Sequence, residues 1–486
     1  MKTLLALAVA LVAPAFQSNQ PPVAYRLDYP AAGATLVHVH VQLPAPIDAP
    51  ASFVMPRGYP GGYSIVLYDR FVQNLQARPA SASAETLSVT RDDYGPRWTI
   101  GAKGQRVAEI DYDVDIARME REVLSGVEAS KIRDGYAGLL GYSVFGYVDG
   151  QERAPVQLTV NAPASWPVLS TLAPAVPAPL GHITARAPHF DDLADAQILM
   201  GPALQLRRLN GLIPLVLAVY AEAPEDLAIE GQLARTALDR VQAYFVDAPL
   251  THYTVHLELL KPLPGHDYGF SQEHNDSGTF SLDTTRAITA ATPADARATT
   301  LFNYAHHMAH SWVPKRAFGV GYSPFTWEMP PIIDTIWFNE GFGRYAAIAA
   351  VAGGMPAAEA AACRARMLAT LQKIVDTAPP FIRRMPMLVL SREASFMYSV
   401  DFRIGRNVFS RGSLMAAEMD DRIIAETKGA KSLRDALRSI VAQTMRTGQP
   451  FEVEQFPDLI RAATGVDVRE IFDRWMRLTR QAEGSE

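Results

Sequence analysis

Cysteine is almost missing from this 486-residue chain. Cys363 stands alone, so no disulfide can form within the chain and no cysteine-rich metal site can be built. Any bound metal must be held by His, Asp or Glu. Excess positive charge is missing too: 45 Lys+Arg stand against 51 Asp+Glu, a formal net charge of −6, which removes the electrostatic case for a nucleic-acid partner. No uncharged apolar run approaches the roughly 20 residues of a membrane span, so no such span is expected. The rest is ordinary globular composition, 48% hydrophobic and 20% charged, which excludes a disordered or fibrous chain. At about 150 residues per domain, the length suggests two or three domains.

Residues 1–15 combine one basic residue, Lys2, an apolar run of about ten and a small-x-small pattern ending at Ala15, as in a secretory signal. Export to the periplasm or the medium is therefore expected. From 21 to about 222 the text alternates apolar and polar residues, as in Thr35-Leu-Val-His-Val-His-Val-Gln42, with frequent Pro and Gly. Many short strands of this kind predict an N-terminal β-sandwich domain.

The period changes near residue 223. Leu233, Ala237, Leu238, Val241, Tyr244 and Phe245 recur at helical spacing and predict a helix over 226–246. A small sheet is expected over 251–288. Thr292-Pro293-Ala-Asp295 then offers an N-cap, a proline at the first helical position and an early acid, the start of a helix over 293–312 that Pro314 ends. Helices are expected over 337–352, 357–376, 411–428 and 432–447, with a last pair closing the part over 337–480. The fold class is α+β and multidomain.

Five of the eleven histidines fall between His266 and His310. On the predicted helix, His306 and His310 lie four apart and share a face. Alone, such a pair equally describes two satisfied histidines. Trp337-Phe-Asn-Glu340-Gly-Phe places an acid in an apolar run that opens a later helix; alone, it describes an acid favoured by the helix dipole. Together they supply two imidazoles and a carboxylate with room for water, the donor set of catalytic zinc rather than calcium or magnesium.

Further motifs accompany them: Trp312, Lys315 and Arg316 after the second histidine, a 30-residue step from His310 to Glu340, Phe270-Ser-Gln-Glu273-His274 upstream, Pro60-Gly61-Gly62-Tyr63 near the N-terminus, and Thr464 to Trp475 near the end. By these the chain resembles the glycyl-aminopeptidase family of gluzincin metallopeptidases, which often bear a PDZ domain. The resemblance implies a thermolysin-like, mainly helical domain over 223–486, Zn2+ held by His306, His310 and Glu340, and Glu273 receiving the free amine of a peptide substrate.

Departures from the family pattern bear on activity. The family's His-Glu-x-x-His carries its general base where this chain has His307. Its Tyr-Tyr-x-Lys-Gly segment, a source of a phenolic donor to the tetrahedral intermediate, stands here as Val408-Phe409-Ser-Arg411-Gly412, and Phe409 has no hydroxyl. Candidate substitutes are His307 itself, Glu273 or Glu328 as base, and Tyr398 or Tyr322 as oxyanion donor. Adjacent helical residues diverge by about 100°, which argues against His307 as a further ligand to the ion. No PDZ domain is expected after Trp475. Three readings follow: a weak or altered zinc hydrolase, a pseudopeptidase that binds peptides or a protein partner, and an exported structural protein with a relic cleft.

Overall fold

The computed structural model describes residues 21–80, 85–246, 250–266 and 268–477. The expected signal at 1–15 lies outside them. The first half is β-rich. A six-stranded sheet runs in the order His182–Ala187, Val156–Asn161, Val23–Asp28, Leu36–Asp48, Arg106–Asp115, Val72–Pro79, and two four-stranded sheets join it. Val39 and Ile110 from the large sheet share one apolar core with Phe53 and Trp98 from one small sheet and Leu139 and Ile198 from the other. The three sheets thus contribute to one core, and the alternation visible in Leu36–Asp48 supplies one side of it.

A five-stranded sheet follows, ordered Gln205–Leu209, Leu215–Ala221, Tyr253–Leu260, Ser277–Asp283, Gly269–Glu273. It is wider than the 251–288 segment suggests. The two strands before residue 222 fall in the segment read as sandwich, yet Leu215–Ala221, a continuous apolar run, pairs parallel with Tyr253–Leu260. The helix Leu227–Phe245, capped by Asp226, makes the crossover. Parallel strands are covered on both faces, and every residue of Tyr253–Leu260 is buried. Val255, Leu257 and Leu259 face the helical core, whereas His256 and Glu258 meet Tyr136 and Lys131 of the first half.

The remainder is helical: Ala294–Ala309, a π-helical turn Trp337–Phe342 continued by Gly343–Gly353, then Ala357–Asp376, Met387–Met397, Phe402–Glu426, Leu433–Thr447, Phe456–Thr464 and Arg469–Arg477. Two starts differ from the sequence reading. Thr292 takes the Thr289 backbone N–H at 2.9 Å and closes a turn, so Pro293 fills the cap position instead. The helix expected from 411 begins at Phe402, where Asp401 caps the Arg403 N–H at 3.1 Å. Among the described residues no helix is long and apolar enough to cross a membrane.

Candidate metal centre

His306 lies in the last turn of Ala294–Ala309, and His310 occupies its C-cap with helical dihedrals (φ −65°, ψ −19°). Both imidazoles therefore point the same way although the helix stops short of Pro314. Glu340 comes from the π turn, which packs tightly on Phe402–Glu426: a Cβ at Gly341 would stand 2.5 Å from the Gly412 Cα. That close approach sets the depth at which Glu340 enters.

His306 Nε2 lies 3.7 Å and His310 Nε2 3.5 Å from the same oxygen, Glu340 Oε2. These distances are long for hydrogen bonds. They suit shared coordination, because bonds of about 2.1 Å meeting at a tetrahedral centre separate their ligand atoms by roughly 3.4 Å. His310 Nδ1 donates to the Val313 carbonyl at 2.8 Å, which fixes the tautomer and leaves Nε2 buried with no partner. The donor set and the bare nitrogen fit a zinc ion.

The first half of the chain completes the pocket. The Tyr63 hydroxyl donates to Glu340 Oε1 at 3.0 Å, from a backbone held at φ 48°, a conformation costly for a tyrosine. Gly61, at φ +92°, lies against Glu273; an added Cβ would sit 2.0 Å from Glu273 Oε1. The Pro60 carbonyl accepts from Lys315 Nζ at 3.3 Å and Gln272 Nε2 at 3.2 Å. The Pro60–Tyr63 turn is thus wedged between the strand carrying Glu273 and the His306–His310–Glu340 cluster. Tyr63→Phe is expected to weaken metal binding by about 10–100-fold, as the loss of outer-shell partners does elsewhere. Chelator competition measures this, and an unchanged affinity would show that the hydroxyl does not orient Glu340.

His307 enters the same cavity, of about 180 Å³, with Nδ1 3.9 Å from Glu273 Oε2. Phe270, Tyr398, Phe402, Phe409 and Arg344 also line it. The Tyr398 ring packs on Phe402 at 4.8 Å and Phe270 at 5.5 Å, and burial raises its phenol well above the ordinary value. Tyr322 is buried near the acids but outside this lining. Glu328 is not a base for this pocket: its carboxylate holds Arg97 through contacts of 2.8 and 2.7 Å.

Charge among the protein groups of the pocket is divided unevenly. Burial lowers His306 and His307 well below the usual histidine value, and the neighbouring His310 and Arg344 charges add to this. At His310 burial is outweighed by the Glu340 and Glu273 carboxylates, so its pKa rises to about 9. Burial also raises Glu273. A dication bound through His310 would have to displace the proton held there.

The motif at Pro60–Tyr63 lies within a segment that matches a known domain family. Residues 24–202 match the Peptidase M61 N-terminal domain. The matched segment ends just before Gln205–Leu209, where the five-stranded sheet begins. No curated protein sequence matches significantly. Among solved structures, an aminopeptidase N family protein from Idiomarina loihiensis is 18% identical with a TM-score of 0.80, covering 94% of this chain and 76% of that one. The M1 zinc metallopeptidase from Deinococcus radiodurans is 15% identical with a TM-score of 0.55, covering 95% of each chain. A mutant of that enzyme bound to a Tyr-Ser-Ala substrate is 14% identical, with the same TM-score and coverage. At such identities the likeness is one of fold: β-sheets followed by a mainly helical region, as in two-domain M1 peptidases.

Of the residues singled out from sequence, His306, His307, Glu340, Glu273 and Tyr398 line this pocket, and His310 joins the ligand clusters beside it. It gave no role to Tyr63, Gly61 or Arg344. The Pro60-Gly61-Gly62-Tyr63 motif was the available signal for the first two; Arg344, four residues beyond Glu340, was signalled by helical spacing.

Proposed function

We propose that the chain is an exported zinc protein of the metallo-aminopeptidase type that takes peptides by their free amino terminus and hydrolyses them weakly. The observation that carries the reading is the convergence of His306 and His310 on one oxygen of Glu340. When bound there, zinc supplies a Lewis acid and a water of lowered pKa. The buried Glu273 carboxylate receives the substrate's ammonium, and Gly61 keeps the space beside it open. The aromatic wall of Phe270, Phe402 and Phe409 excludes water around the first side chain. His307 stands where a base is needed, but its imidazole is held neutral and disfavours the cation that must form on taking a proton.

That poor base is also what favours a second reading, a pseudopeptidase that retains ion and peptide but does not turn over. Protein purified without a histidine tag is expected to contain about one zinc per chain. Stripping it with chelator should lower the melting temperature, since a ligand at 100 times its Kd contributes about 2.7 kcal/mol. Absence of zinc, with a melting temperature indifferent to added metal, would leave only the structural-protein reading. Glycyl and alanyl reporter substrates then separate weak hydrolase from pseudopeptidase. Export is tested by the mature N-terminus, expected after Ala15.

A further inference from the structure

On a helix successive residues are about 100° apart, so with His306 at zero, His310 falls near 40° and His307 near 100°. His310 thus stands between its neighbours and can partner either. Glu273, His307 and His310 bring ligand atoms within 4.8 Å of one another, as His306, His310 and Glu340 do. Each member of the former group also leaves a buried polar atom without a hydrogen-bond partner: Glu273 Oε1, His307 Nδ1 and His310 Nε2. Unpartnered groups converging in one cluster are the donor atoms a cation would use.

We propose that His307 makes the pocket a two-position cation site, one ion per chain held either by His306, His310 and Glu340 or by Glu273, His307 and His310. This rests on the metal reading above and extends it. The positions exclude each other because His310 Nδ1 is committed to the Val313 carbonyl, leaving Nε2 to serve one ion at a time. Both donor sets are two imidazoles and a carboxylate, suited to Zn2+ or Co2+. In the second position the ion occupies Glu273, the acceptor assigned to the peptide's amine, so an incoming peptide drives the ion toward Glu340.

The test uses the full chain, stripped and reloaded with Co2+, with bound ion counted by elemental analysis and folding checked by thermal unfolding. Wild type should bind one ion. Glu340→Ala should still bind one, with a Kd within about tenfold because the remaining donor set is alike. Glu340→Ala combined with Glu273→Ala should bind none. Loss of the ion in Glu340→Ala alone overturns the second position while leaving the proposed function standing. Retention in the double variant, or two ions in wild type, also overturns it. No ion in wild type removes both proposals. If the variants unfold, the visible spectrum of Co2+ in wild type and in His307→Leu decides: identical spectra overturn the proposal, and a change of band shape supports it.

Discussion

His307→Glu is expected to raise kcat/KM on aminoacyl reporter substrates at least tenfold over wild type, toward the roughly 10²–10⁴-fold that a positioned general base contributes. The site has the remaining geometry: His307 enters the cavity beside the metal ligands, with Glu273 3.9 Å away. A carboxylate there would be buried and face a like charge, both of which raise its pKa toward the range of a useful base. Activity of the variant should therefore rise with pH as that group loses its proton. His307→Gln, similar in size but unable to accept a proton, should show no gain, separating chemistry from shape. The lower bound is tenfold because Phe409 supplies no phenol, and one lost oxyanion donor costs about 3–4 kcal/mol in other enzymes. A zinc-loaded His307→Glu no faster than wild type would mean that the oxyanion donor limits turnover, and the pseudopeptidase reading would stand.

The site was legible where it obeys local periodicity. His306 and His310 share a face through helical spacing, and Glu340, ambiguous by itself, stood out only beside that pair. Tyr63 was not legible in that way. It reaches Glu340 across 277 residues of chain, a contact no local pattern encodes. The same limit governs the fold. Gln205–Leu209 and Leu215–Ala221 are short strand text that fits either sheet, and only pairing with Tyr253–Leu260 assigns them to the later one. Glu328 read as a free acid because nothing near it in sequence foretells Arg97, whose partner strand lies in the first half. Tertiary pairing between distant segments, rather than weak propensity, is what sequence alone withholds here.

That pairing sets the second large effect: Lys131→Met should destabilise the protein by about 3–5 kcal/mol, the usual cost of stranding one partner of a buried ion pair. Lys131 Nζ and Glu258 Oε2 are 2.7 Å apart with side chains 1% and 0% exposed, joining the β-rich first half to the five-stranded sheet. Glu258 also accepts from Tyr136 at 3.0 Å and Ser281 at 2.6 Å and lies 3.5 Å from His256. Burial opposes the Glu258 charge, but Lys131 and His256 outweigh it and hold the pKa well below the carboxylate range. Wild type therefore keeps this contribution above about pH 4.3 and loses it only as pH falls toward the depressed value. In the variant the unpaired carboxylate should recruit a proton to His256, whose pKa burial now lowers and Lys131 helps to keep low. With the folded pKa of His256 raised above its unfolded value, the compensation is present in mild acid and lost as pH rises. Lys131→Met should thus lie closer to wild type at pH 5 than at pH 8 in urea unfolding. An equal loss at both pH values would show that His256 does not take the proton, and a loss below about 1 kcal/mol, the range of an exposed pair, would remove the pair from the interface's stability altogether.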